Sequence, residues 1–424
     1  MGILNFVINE IFNQGAIFLA LIACIGLILQ KKSFSEIVRG TLTTAIGFFI
    51  LSCGTGLITG NSIDGISLAF NAITPSAIPS TTVDIGAEYG TQIGIVMIVA
   101  FAINLLVARF TKWKSIFLTG HMLYWFPFVF IAAGVDAGLT GGKLIGLAAV
   151  FTALYMVISP NLMRPLVKDV TGDDSFTIGH PTTCLSLLSA GLAKVFGNKE
   201  HSTEQLNVPK SLGFLREISI TGSITIAITY IVLYFILVAN GKDPAEIWGY
   251  AGATTGVFTY IFTHAIYFGV GITIMLQGVR MMIAEIVPAF KGIAEKVVPN
   301  AIPALDVPVI FPYAPNALLI GFIVAMITSI ITLLLTSGMF PTVVIPLIST
   351  CFFETGCAAI IGNAKGGVRG CVIGAAACGI VMVFLVGFGA YFFNNTIQQW
   401  MLVYGGQDFS LWGMIEGFIA GLIA

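Results

Sequence analysis

At 424 residues, 57% hydrophobic and only 9% charged, the chain is too oily for an ordinary soluble domain, and a mean hydropathy of +0.98 indicates a polytopic membrane protein. A net charge of −1 points to no partner by itself. There is no Walker loop, HExxH, dinucleotide fingerprint or basic nucleic-acid face, and the seven cysteines include no CxxC and read as small buried apolar residues.

The first ten residues, MGILNFVINE, have no basic region or small-residue cleavage site, so no cleaved signal peptide is expected. A spanning helix needs roughly 20 apolar residues. Such segments fall near 15–30, 40–58, 93–108, 116–135, 144–160, 222–240, 252–275, 318–336, 341–360, 371–393 and 409–424. The fold class expected is therefore an all-α polytopic membrane protein with about eleven transmembrane helices. The stretch 60–92, rich in Thr, Ser and Gly with Asp84 and Glu88, reads as an external loop.

Two apolar stretches do not read as full spans. The first, about 176–193, contains Phe176-Thr177-Ile178-Gly179-His180-Pro181 and is flanked by charged segments. The second, about 299–317, is so rich in proline that it cannot form one continuous helix. Non-helical backbone at membrane depth survives only when buried in protein or lining a wet cavity, so each stretch is expected to be a re-entrant hairpin. Five spans precede the loop at 194–216 and five follow it, which implies two inverted five-helix units, about 15–193 and 222–393, in one transporter unit with a final span at 409–424. Between the seventh span and the second hairpin, Val279, Met282, Ile283, Ile286, Phe290 and Ile293 share a helical face, which predicts a cytoplasmic interfacial helix over 279–296 kinked at Pro288.

The cations fix an orientation. With the N-terminus outside and the C-terminus cytoplasmic, all but Lys143 and Lys242 of the 19 Lys and Arg residues lie inside.

Ionisable residues at membrane depth usually lie on a substrate or ion path. His180 and Asp306 occupy equivalent places, one in each expected hairpin. His121, in Leu118-Thr119-Gly120-His121, opens the fourth span. Together with threonines, these residues supply the convergent donors and acceptors that a polyhydroxylated solute needs. Glu354 could hold solute or a proton, or pair with a cation in the core. The run Tyr124-Trp125-Phe126, one turn beyond His121, suits either core packing or a sugar platform. His264 reads as a packing residue and His201 as solvated.

In order and register, these strings resemble the membrane-embedded IIC component of the bacterial sugar phosphotransferase system, ascorbate family. The likeness begins at Phe12-Asn13-Gln14 and includes Leu118-Thr119-Gly120-His121 and Phe176-Thr177-Ile178-Gly179-His180. It continues through Gln277-Gly278-Val279-Arg280-Met281, Ala304-Leu305-Asp306 and Tyr313-Ala314-Pro315-Asn316-Ala317, and closes at Gly366-Gly367 with Arg369. The resemblance implies a homodimer in the bacterial cytoplasmic (inner) membrane, with a core domain that carries solute by an elevator-like movement and a scaffold domain that dimerises. It further implies a IIB partner that phosphorylates the solute from a phosphocysteine, an upstream IIA protein, and no cofactor. Carried over by position, Thr81, His121, His180 and Asp306 contact the solute, with Thr55 and Thr82 beside them. Ascorbate transporters of this family carry glutamines where this chain has Trp125 and Pro181. Losing two amides changes the hydrogen-bonding capacity of the pocket, so the expected solutes include a related sugar, sugar acid or polyol as well as ascorbate.

Two other readings are compatible with the residues. One is an uncoupled or proton-coupled transporter using Glu354 or Asp306 as proton carrier. The other is an intramembrane enzyme built on His121, His180 and Asp306, which would have to form product by itself.

Overall fold

The computed structural model describes residues 6, 10–11, 14–73, 83, 85–120, 122–206, 214, 217–252, 256–296, 298–336, 339–340, 348–393, 395–396 and 406–424. The principal helices are α1 (Gly15–Leu29), α2 (Phe34–Ile58), α3 (Asp64–Ile73), α4 (Ile85–Phe110), α5 (Met122–Asp136), α6 (Gly141–Thr171) and α7 (Thr183–Phe196). They continue as α8 (Ile218–Ala239), α9 (Pro244–Ile247), α10 (Val257–Lys296), α11 (Pro315–Leu335), α12 (Ile348–Gly389) and α13 (Gln407–Ile423). Seven of the helical runs are long and apolar enough to cross a membrane, and three shorter apolar helices accompany them among the described residues. The protein is mostly helical and multi-span.

The chain is not all-helical, however. Three short strands, β1 (Ser115–Phe117), β2 (Thr177–Ile178) and β3 (Ile302–Leu305), form a parallel sheet in the order β1-β3-β2. Phe117 pairs with Ala304, and Thr177 and Ile178 pair with Ala304 and Leu305. Pro303 is tolerated in the middle strand because the ladder to β2 begins one residue later, at Ala304. Periodicity could not reveal strands this short, since runs of two to four apolar residues look alike in helix and strand.

Two further differences from the sequence reading have physical causes. The stretch 60–92 contains helix as well as loop: a π-turn at Thr59–Ile63 leads from α2 into α3, whose Ile66 and Ala69 are fully buried. Residues 279–296 are no separate interfacial helix but the end of α10, which runs through Pro288 and packs on α1 and α2. The Gln30 side-chain amide donates to the Pro288 carbonyl. The segments expected near 341–360 and 371–393 fall, where described, on the two arms of α12, two helices joined at a kink where the chain folds back on itself. Its backbone leaves helical geometry at Gly366 and Gly367, the latter at φ 60° and ψ −155°, and Gly362 lies against Gly370. Gly367 is required there twice over, by its positive φ and by contact with the backbone of Asn198 and His201.

Helices α2 and α10 approach closely through glycines. Gly47 and Gly54 of α2 face Gly278 and Gly271 of α10, and a Cβ on Gly271 would sit 2.7 Å from the Gly54 carbonyl oxygen. Two helices in an apolar medium gain nothing from hiding greasy surface, so small residues that let backbones touch decide where they pack. Helices α1, α2, α8 and α10 group around this contact, while α4–α7 and α11–α13 pack among themselves, with α4 and α6 on the strands and α12 on the turn after β3, which α10 also reaches. Where α6 ends, Arg164 donates to both carboxylate oxygens of Asp174 at 3.1 and 3.2 Å, steering the chain into β2. That bond, with the cations Arg164 and Lys168 beside it, holds the Asp174 carboxyl below its ordinary range.

Replacing Gly278 by Leu would drive a side chain into the backbone of Leu51 and Gly47, whereas a side chain at Gly256 meets nothing within 4 Å. Overpacking of this kind costs about 1–3 kcal/mol or more. Gly278→Leu should therefore lower the unfolding midpoint of detergent-purified protein, measured by heating and size exclusion, while Gly256→Leu leaves it in place. Equal midpoints would remove the α2–α10 contact as a determinant of the fold.

Candidate functional site

Each strand of the small sheet ends in a turn that feeds a helix. β1 runs through Thr119 and Gly120 into α5, β2 through Gly179–Thr182 into α7, and β3 through Asp306 into a 3-10 turn, Val307–Tyr313, that precedes α11. In parallel sheets the carboxyl edge is where ligands are bound, because the loops there carry exposed groups and the following helices aim their N–H ends at it. Thr119, His180 and Asp306, from the three polar strings singled out in the sequence, lie at this edge.

Asn104 of α4 anchors the first strand. Its amide donates to Ser115 O at 3.1 Å and to Met156 O at 3.2 Å, and its oxygen accepts Phe117 N–H at 2.9 Å. The Met156 carbonyl needs such a donor, because Pro160, four residues on, has no N–H to return to it. The turns are tied across the sheet as well. Leu118 N–H donates to Ala304 O and Gly179 N–H to Leu305 O, both at 2.9 Å, and the Thr119 hydroxyl reaches Ala304 O at 3.3 Å.

This stitching brings His180 and Asp306 together across 126 residues of sequence. His180 Nδ1 lies 2.7 Å from Asp306 Oδ1, and the two side chains are only 11% and 16% exposed. Asp306 Oδ1 also accepts Val307 N–H at 2.8 Å, so the carboxylate caps the 3-10 turn while it holds the imidazole. With Nδ1 donating to Asp306, the tautomer of a neutral ring is set and Nε2 becomes its acceptor. A buried, pre-oriented pair of this kind can bond hydroxyl groups through both partners.

The other candidates are placed differently. Trp125 lies half-buried on α5 beside Tyr124 and Phe128, with ring centroids at 5.3 and 5.2 Å, while Phe126 turns inward to stack on Tyr155 at 3.6 Å. Pro181 is buried with its ring against Gly406, and its carbonyl accepts Asp408 N–H at 3.4 Å. Glu354, 4% exposed, accepts Gln407 N–H at 2.9 Å, and its backbone carbonyl accepts the Thr182 hydroxyl at the same distance. His121, Thr81 and Thr82 lie outside the described residues, as does the side chain of Thr55. His264 is remote from this edge: it stacks on Tyr260 at 3.8 Å in a cluster with Trp248 and Tyr230. His201 is exposed, and its carbonyl accepts Val368 N–H.

Three residues around the site were missed in the sequence reading: Asn104, Tyr155 and Asp408. Asp408 had a readable signal, a carboxylate at the head of the last apolar stretch, but the expected span began one residue later. Asn104 and Tyr155 sit singly within apolar helices and carry no pattern at all.

Comparison with known proteins gives two matches. The pattern of the EIIC-GAT family, described as the PTS system sugar-specific permease component, matches residues 10–423. The chain is also similar to the Ascorbate-specific PTS system EIIC component of Mycoplasma pneumoniae (strain ATCC 29342 / M129 / Subtype 1), with 26% identity over 456 residues covering 95% of this chain and 69% of that protein.

Asn104→Ala would leave Met156 O, Ser115 O and Phe117 N–H buried without their side-chain partner. At about 1–3 kcal/mol for each buried group left unsatisfied, the variant should unfold at a clearly lower temperature than the unmodified protein. An unchanged midpoint would show that β1 does not depend on this anchor.

Proposed function

Because the chain belongs to the EIIC-GAT family of PTS sugar-specific permease components, we propose that it takes a small polyhydroxylated solute at the carboxyl edge of the β1-β3-β2 sheet and moves it inward for phosphorylation. Membership in this family implies a sugar substrate and IIA and IIB partner proteins in general terms. The observation that carries the more specific reading is the buried His180–Asp306 pair, 2.7 Å apart where two strand ends meet. His180 and Asp306 bond the solute hydroxyls, with His121, Thr55, Thr81 and Thr82 as further contacts. The IIB protein supplies the phosphoryl group from its own phosphocysteine, so this chain binds and positions without forming a covalent intermediate.

Ascorbate is one candidate solute, drawn from the name of the Mycoplasma relative. Trp125 offers a ring face and a single N–H, and the ring of Pro181 is spent on Gly406. That chemistry suits an ascorbate-like sugar, sugar acid or polyol equally. Glu354 spends one carboxylate oxygen on Gln407 N–H, which supports a role in holding the site's architecture.

On this reading the helices around the sheet form the moving core and α1, α2, α8 and α10 the scaffold, which pairs two subunits into a homodimer. The eleven apolar segments are the spans, and β2–α7 and β3–α11 are the re-entrant pieces of two inverted units. Support comes from the strands that precede α7 and α11 and pair with each other, non-helical backbone of the kind that re-entrant pieces carry. Because β2 and β3 run parallel, a two-fold axis relating the units must lie along the strands.

His180→Ala and Asp306→Asn should insert normally and lose uptake, since each removes a charge-assisted contact worth about 1.5–3 kcal/mol, roughly ten- to a hundredfold in affinity. In cells that contain the IIB protein, solute taken up by the unmodified chain should be recovered phosphorylated. Near-normal uptake by either variant would take that residue out of the site. Recovery of free solute alone would favour uncoupled or proton-coupled transport on the same fold.

A further inference from the structure

Helix α7 begins immediately after the His180 turn, and its first N–H groups need acceptors. Its N-cap residue, Thr182, makes no side-chain cap bond. The acceptor comes instead from the far end of the chain. Asp408 Oδ2 accepts Thr183 N–H and Oδ1 accepts Cys184 N–H, each at 2.8 Å. The same Oδ2 accepts the Tyr155 hydroxyl at 2.7 Å, and that hydroxyl lies 3.3 Å from the carbonyl oxygen of His180 itself. Asp408 also donates its own N–H to Pro181 O at 3.4 Å. Its main chain and side chain thus grip the turn on both sides of residue 182. Asp408 is fully buried, and Gln407 beside it is tied to Glu354 of α12 at 2.9 Å.

We propose that Asp408 is a positioning residue of the solute site: by capping α7 from α13 and bonding Tyr155, it fixes the 180–184 turn at the height where His180 meets Asp306. The proposal rests on the reading of His180 and Asp306 as solute contacts. It explains why a carboxylate is placed where solvent cannot reach it. Two N–H groups and one phenol converge on a carboxylate, which has acceptor sites for all three and donates to none. An asparagine in its place offers one oxygen and turns an NH₂ toward groups that are themselves donors. The turn would shift to relieve that conflict, taking the His180 ring away from Asp306.

The chain has four histidines, so the purified full-length protein labelled with 15N-histidine shows few enough ring-nitrogen signals to assign, His180 by its loss in His180→Gln. Asp408→Asn should move the His180 ring signals away from their hydrogen-bonded position while His201 and His264 stay in place, and should weaken L-ascorbate, used as the probe solute, about tenfold. Tyr155→Phe keeps the ring stacked on Phe126 and should move His180 in the same direction by less. General loosening of the fold would instead disturb His264 too. Unmoved His180 signals in folded Asp408→Asn would overturn the proposal; if that variant does not fold, unmoved signals in Tyr155→Phe overturn it equally. The solute reading fails separately, if bound L-ascorbate leaves the His180 signals of the unmodified protein unchanged.

Discussion

A backbone that leaves helical geometry inside an apolar protein must find new partners for every N–H and C=O it exposes. Three stretches of this chain do so, and they satisfy one another: Ser115–Phe117, Ile302–Leu305 and Thr177–Ile178 lie side by side as one parallel sheet. That requirement organises the centre of the molecule. It draws together segments far apart in sequence, and it brings the three turns that follow the strands to one edge. The polar side chains on those turns then meet as a consequence of backbone pairing, which is how His180 comes to face Asp306.

Holding that edge rigid takes polar groups in places that water does not reach. Asn104 replaces the helical donor that Pro160 lacks, the Thr177 hydroxyl bonds Pro160 O at 2.8 Å, and Asp408 closes the start of α7. Each is a buried polar group fully engaged with backbone, the arrangement in which burial specifies a geometry instead of penalising it. The glycine contact between α2 and α10 works by a different principle, close backbone packing. A stiff helical frame and a stitched polar centre are what the proposed division into scaffold and moving core would require.

Much of this was legible in the residues. Most of the expected apolar segments fall on helices among the described residues, because roughly 20 apolar residues in a row leave few alternatives, though the segment near 116–135 begins in β1. The candidacy of His180 and Asp306 was readable because a histidine and an aspartate in two proline-marked apolar stretches are costly and therefore conspicuous. The sheet was not readable: its strands are two to four residues long, and parallel pairing between segments far apart in sequence leaves no local trace. The interfacial helix expected at 279–296 went wrong for a related reason. An apolar face looks the same whether it meets lipid or another helix; in the structure Gly26 lies against Ala289 and Gly47 against Met282. Asp408 escaped notice because the expected last span began one residue after it, and its backbone partners at Thr183 and Cys184 leave no side-chain pattern.

The most direct measurement is a structure of the full chain with L-ascorbate or a polyol bound, determined in detergent or nanodisc by electron cryo-microscopy. The account predicts solute density at the carboxyl edge of the sheet, with hydroxyl oxygens within hydrogen-bond distance of His180 and Asp306. Solute seated elsewhere, for instance against the Trp248–Tyr260–His264 cluster with the His180–Asp306 pair undisturbed, would contradict it.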